Sequence, residues 1–175
     1  MGLLSYCNHR CRASIEMAQL NFTDEEFDLI LRQAQDLYHA IGQIRCPYFR
    51  EPVQFNAAGL DHVRRKTWNR GRSRTDQFMR LKYLWAAPEI VRASQTVQGV
   101  WRTQERIRHR RHGHWEEVFT PVTFYEFIAV LNDRRFKVIV KEPVGQARMF
   151  WSLIPFWRQN EQGRRVIHEG DPAQD

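Results

Sequence analysis

Cysteine is scarce in this chain: three among 175 residues, Cys7, Cys11 and Cys46. An odd and sparse set excludes a disulfide-stapled scaffold and points to a reducing compartment. Cys7 and Cys11, with His9 between them, supply half of a zinc-ligand spacing, but Cys46 stands alone, so no metal is expected. Long apolar runs are missing too; none reaches the roughly 18 residues of a membrane span. The apolar opening Met1–Cys7 is too short for a secretory signal, and Tyr6 stands where a myristoylation motif requires serine or threonine. Negative charge is in deficit, with 20 Asp and Glu against 27 Lys and Arg, a net charge of +7. The expected protein is cytoplasmic, without membrane contact, and suited to a polyanionic partner such as nucleic acid or an acidic protein.

What the chain has in quantity is apolar and aromatic side chains. Hydrophobic residues are 42%, with six Trp and eleven Phe. That is enough for the core of one domain plus modest extensions. Thr23-Asp-Glu-Glu26 reads as a capping box, and Leu29, Ile30, Ala34, Leu37 and Ile41 follow at helical spacing. Gly42 ends that helix, and residues 43–52, with Pro47 and Pro52, read as a linker. Residues 1–50 are therefore expected as a helical arm, residues 51–157 as the main domain, and residues 158–175 as a polar tail.

Val53–Phe55 reads as a short strand, and a helix opens after Asn56. On it Leu60, Val63 and Thr67 form the core stripe, which places His62, Arg65, Lys66 and Asn69 on the opposite, polar side. Residues 68–74 form a basic loop carrying Arg72 and Arg74, and Thr75 opens a second helix with Arg80 on its flank. Residues 87–92 add a further turn. From Val97 the period changes to that of strands: 97–107, 115–119, 124–131, 136–142 and 147–156, with turns at 132–135 and 143–146. Arg108–His114 is a charged hairpin tip that touches phosphate only non-specifically. The fold class is α+β: N-terminal helices followed by a four- to five-stranded antiparallel sheet.

In Phe136–Glu142, alternation puts Lys137, Ile139 and Lys141 on one face and Phe136, Val138 and Val140 on the other. The following strand, Met149–Phe156, is almost wholly apolar, and Ser152 is its single hydroxyl, which needs a partner or a task. Helix and strands together can surround a cleft holding His62, Arg80, Lys141 and Ser152.

The runs Phe55-Asn-Ala-Ala-Gly-Leu-Asp-His62, Arg80-Leu-Lys-Tyr-Leu-Trp-Ala-Ala-Pro-Glu-Ile90, Phe136-Lys-Val-Ile-Val-Lys141 and Phe150-Trp-Ser-Leu-Ile-Pro155 together resemble one family. It is the phage-associated branch of the barnase, EndoU, colicin and RelE (BECR) nuclease assemblage, and the likeness covers roughly residues 50–157. The resemblance implies helices before a four-stranded antiparallel sheet and a metal-independent, cofactor-free endoribonuclease of toxin or mobile-element type. It also implies RNA as partner, with an acidic antitoxin or immunity protein as a second. By the same likeness His62 matches the helix histidine, Arg80 or Lys141 the phosphate-binding positions, and Ser152 the late-strand hydroxyl. No second sheet histidine is found, so the proton donor is unassigned.

Such a cleft suits transesterification. A base takes the proton of the ribose 2′-OH, that oxygen attacks phosphorus, and an acid protonates the departing 5′-oxygen. Cations hold the charge growing on the phosphoryl oxygens. The roles expected are His62 as base or acid, Arg80 and Lys141 as phosphate clamps, and Ser152 as a positioning group. Arg65, Lys66, Arg72, Arg74 and Lys137 are expected to hold RNA. Each residue has a plainer reading: His62 a solvated helix histidine, Arg80 a partner of Asp76 at i−4, Ser152 a packed hydroxyl, Lys137 and Lys141 a solvated sheet face. The alternative function is a non-catalytic nucleic-acid-binding or protein-interaction domain on the same scaffold.

Overall fold

A computed structural model of the protein describes residues 22–67 and 70–155. Cys7, His9 and Cys11, the pair Trp68 and Asn69, and the expected polar tail lie outside the described residues. Among the described residues four helices and eight strands alternate early and segregate late. In order they are α1 (Asp24–Ile41), β1 (Gln43–Cys46), β2 (Glu51–Gln54), α2 (Ala57–Arg64), β3 (Arg65–Thr67), β4 (Arg70–Gly71), α3 (Arg74–Lys82), α4 (Ala86–Ala93), β5 (Gly99–Arg111), β6 (His114–Leu131), β7 (Arg134–Pro143) and β8 (Met149–Pro155).

The α+β expectation holds, but the sheet is larger and mixed. Its six strands run in the order β1-β2-β8-β7-β6-β5, and β2 lies parallel to β8 through the single pair Gln54↔Met149. The other neighbours are antiparallel. Residues 43–52, expected as a linker because of their prolines, instead form the hairpin β1–β2. Pro52 lies in β2, which pairs with β8 only at Gln54, so its missing amide breaks no ladder bond on that side. Residues 115–119 and 124–131 are one strand, β6, not two.

The capping box is present: Thr23 accepts from the Glu26 amide and Glu26 accepts from the Thr23 amide. From α1, Phe27, Ala34 and Tyr38 enter the same core as Leu60 and Val63 of α2, Phe78 and Leu81 of α3 and Ile90 of α4. That core lies against Phe136, Val138, Val140, Phe150 and Leu153, so the helices cover one sheet face. Residues 22–54 are thus built into the body expected to begin at residue 51. The opposite face carries a smaller cluster of Val122, Phe124, Ile139 and Ile154.

Two hairpins close on residues with left-handed backbone: Asn132 and Asp133, with φ of 48° and 59°, and His112 and Gly113, with φ of 48° and 84°. Two consecutive positive φ values match the right-handed twist of the strands they join. Of residues 108–114, expected as the hairpin tip, only His112 and Gly113 form the turn; Arg108–Arg111 and His114 are paired strand.

Beyond Met149, β8 has no strand on its outer side among the described residues, and α2 and α3 take that place. α2 lies unusually close. A Cβ on Gly59 would stand 2.2 Å from the Phe150 carbonyl oxygen and 2.6 Å from the Tyr38 hydroxyl, so only glycine lets the helix approach. The cap is set by Asn56, whose side chain accepts from the Gly59 amide (3.2 Å). These contacts place His62 beside β8.

Candidate functional site

α2 ends at Arg64, so Lys66 and Thr67 lie in β3 and do not extend the helix. His62 is not on a solvated face. It is 5% exposed, because α2 is enclosed by β8 on one side and by the residues leading into α3 on another. Its ring stacks on the Trp151 indole at 4.1 Å between centroids and 20° between planes. Arg72 donates through Nε to the His62 carbonyl (3.1 Å), and its Nη2 stands 3.2 Å from His62 Nε2. A guanidinium only donates, so in this contact Nε2 is the accepting nitrogen.

Arg72 immediately precedes Ser73, which caps α3 by accepting from the Asp76 amide (3.2 Å); the cap had been expected at Thr75. Asp76 then bridges two arginines, lying 3.5 Å from Arg72 Nη1 and 3.0 Å from Arg80 Nε. The i, i+4 spacing puts Asp76 and Arg80 on one helix side, and Arg72 reaches Asp76 from just before the cap. Arg80 continues the chain: Nη1 donates to Ser152 Oγ (2.6 Å) and to the Leu153 carbonyl (3.2 Å).

A bulge at this point sets the sheet's contribution. Ile139 pairs with Ser152 but Val140 pairs with Phe150, leaving Trp151 as the extra residue. Phe150 and Leu153 both enter the helix-side core, so Trp151 and Ser152 between them are turned out of it. Bulges redirect side chains in this way, and they concentrate beside functional sites. Lys141, paired with Met149, has its Nζ 3.8 Å from the Trp151 ring centroid and donates to Glu105 of β5 (2.5 Å). Burial holds the Lys141 ammonium below the ordinary lysine range, against the opposing pull of Glu105.

The four residues singled out in the sequence are therefore linked, Arg80 directly to Ser152 and the others through shared partners. His62 and Lys141 share the Trp151 indole, and His62 connects through Arg72, Asp76 and Arg80 to Ser152. All four are buried, at 5, 7, 3 and 0% exposed for His62, Lys141, Arg80 and Ser152. The carboxylates that hold the cations are the more open part, with side chains 21% exposed at Asp76 and 22% at Glu105. The Trp151 Nε1 donor is buried and has no acceptor among the described residues.

The residues expected to hold RNA divide. Arg72 and Lys137 are buried: Arg72 within this cluster, Lys137 in a 2.6 Å pair with Glu126 on the same sheet face. Alternation put Lys137 on the less covered face correctly, yet Trp101 and Glu126 enclose it there. Arg65 is exposed and 3.6 Å from Asp61, and Lys66 is half-buried. Arg74 is exposed, pairs with Asp24 of α1 and covers the Phe27 ring, on the other side of α3 from the cluster's chain of bonds. Sequence reasoning missed Trp151 and Glu105. Asp76 was legible from its i−4 spacing to Arg80; Glu105 reaches Lys141 only through the strand register, and nothing in the sequence marks the bulge.

Among the described residues no three His, Cys, Asp or Glu side chains stand together as metal ligands, and no helix is long and apolar enough to cross a membrane. Comparison with family models, with curated proteins and with solved structures finds no match for this chain.

Proposed function

We propose that the cluster around Trp151 is the active site of a metal-independent endoribonuclease. The observation that carries this reading is convergence: His62, Arg72, Arg80, Lys141 and Ser152, brought together from sequence-distant segments, meet on one chain of contacts. Such a set supplies an imidazole, cations for a phosphate and a donor hydroxyl, which is what 2′-OH transesterification uses.

Asp76 and Glu105 hold the cations in the resting protein, and they are its most open members. A substrate phosphate offers the guanidinium groups the same forked geometry as a carboxylate. In the proposed reaction it takes the place of Asp76 on Arg72 and Arg80. Arg72 then leaves His62 Nε2, whose lone pair receives the 2′-OH proton. The 2′-oxygen bonds to phosphorus, the P–O5′ bond breaks, and Lys141 gives its proton to the departing oxygen. The products are a 2′,3′-cyclic phosphate and a 5′-hydroxyl. The unpaired Trp151 N–H supplies a further donor to the phosphoryl oxygens. A toxin role with an acidic antitoxin or immunity protein rests on the family resemblance alone.

One observation favours a second reading. Each cation of the cluster already has a partner, so the network also works as a clamp holding α2 and α3 to β8 with no catalysis. Single-stranded RNA incubated with the protein in EDTA separates the two. The nuclease yields fragments ending in 2′,3′-cyclic phosphate and leaves a 2′-deoxy strand intact. Intact RNA across varied sequences would leave the clamp.

A further inference from the structure

The hairpin β5–β6 is longer than the sheet that holds it. β7 stops pairing with β6 at Val122↔Pro143, and the Val144 amide ties off at the Pro121 carbonyl (3.0 Å). β5 and β6 continue pairing from Arg106↔Phe119 out to Arg111↔His114. Six rungs, about 20 Å at strand rise, therefore project as a two-stranded ribbon with both edges bare among the described residues. A ribbon of this kind is marginal by itself and invites association at its edges.

Alternation and register put Arg102, Arg106 and Arg108 of β5 on the same ribbon face as Phe119, Glu117 and Trp115 of β6. Trp115 and Phe119 are 63% and 62% exposed. The Arg106 guanidinium lies over the Phe119 ring at 5.2 Å and the Arg108 guanidinium over Trp115 at 5.8 Å. Glu117, 3.5 Å from Arg106, is the carboxylate set against those arginines. Lys141 and its partner Glu105 belong to the opposite face of β5, so this stripe is separate from the cluster around Trp151.

We propose that this face of the ribbon is a binding arm for single-stranded nucleic acid. Flat rings interleaved with guanidinium groups give unpaired bases a stacking surface, and the same arginines neutralise the adjacent phosphates. Base stacking and phosphate binding do not read the 2′-OH, so the arm takes RNA and DNA strands alike. The inference does not require the cleavage chemistry.

The test is binding of the full chain to a short oligouridylate, the matching oligodeoxyuridylate and a duplex of equal length, titrated over a range of salt. Two variants are compared with the parent: Arg106→Gln/Arg108→Gln and Trp115→Leu/Phe119→Leu, with thermal unfolding as the folding check. The arginine variant is expected to flatten the salt slope by about 1.4, or ~0.7 for each phosphate no longer neutralised. The aromatic variant is expected to bind roughly tenfold or more weakly at unchanged slope. Single strands should bind tighter than duplex, and the DNA and RNA strands equally. Unaltered affinity and slope in both variants, preference for duplex, or no binding by the parent would overturn the arm. Because the DNA strand cannot be cleaved, its binding tests the arm whatever the cleavage assay on varied RNA sequences shows.

Discussion

Arg80 shows how much of the cluster depends on single side chains. Its guanidinium is buried and is satisfied by Asp76, Ser152 and the Leu153 carbonyl. Arg80→Ala strands part of that pairing, and a loss of about 3–5 kcal/mol in denaturant unfolding is expected. Ser152→Ala removes one acceptor while Leu153 retains its hold on the same Nη1, so about 1 kcal/mol is expected. A larger effect of the serine change than of the arginine change would contradict this hierarchy. On the helix-covered side, burial and the 2.5 Å hydrogen bond to Glu142 push the Tyr125 hydroxyl up to about 12 from an ordinary 10. The unfolded chain gives up that proton first, so stability is full below pH 10 and falls between pH 10 and about 12. Tyr125→Phe should flatten this part of the stability curve. Lys141, held below its ordinary range, acts with the opposite sign, because its relief increases stability as the pH climbs toward 10.5.

Among the elements, α2 is the most tightly specified. Gly59→Ala forces a Cβ against the Phe150 carbonyl, which must displace the helix that carries His62. A loss of about 1–3 kcal/mol is expected in denaturant unfolding, together with impaired cleavage. Parent-like stability would show that the close approach is not needed. Hydrogen exchange should divide the sheet, with amides of the ribbon rungs at 106–119 exchanging far faster than those of β7, which has neighbours on both sides. Equal protection would mean that something covers the ribbon. The start of α1 was legible because the Thr23–Glu26 box is a local signal, and so was the turn at Asn132 and Asp133, where the chemistry of the turn is local as well. β1 was hidden by Pro47 and Pro52, and the single long β6 by Pro121. The helical phase of α2 put Leu60 and Val63 inward correctly, but it assumed one buried side. A short helix between a sheet edge and a second helix is buried on more than one, and His62 went inside.

For the molecule as a whole, the α+β arrangement and the pairing of Arg80 with Ser152 could be read from the chain, since each residue stood out by type in its own run. The mixed sheet order and the bulge at Trp151 could not, because both depend on pairings between distant segments. What the assembled cluster requires of His62 is specific. If the imidazole carries the 2′-OH proton, its removal must abolish chemistry rather than binding. Single-turnover cleavage of a single-stranded RNA in EDTA, by the parent and by His62→Ala, measures this directly. Cyclic-phosphate fragments are expected from the parent and at least ~100-fold slower cleavage from the variant, with RNA affinity within several-fold. Equal cleavage rates in the two proteins would contradict that role of His62.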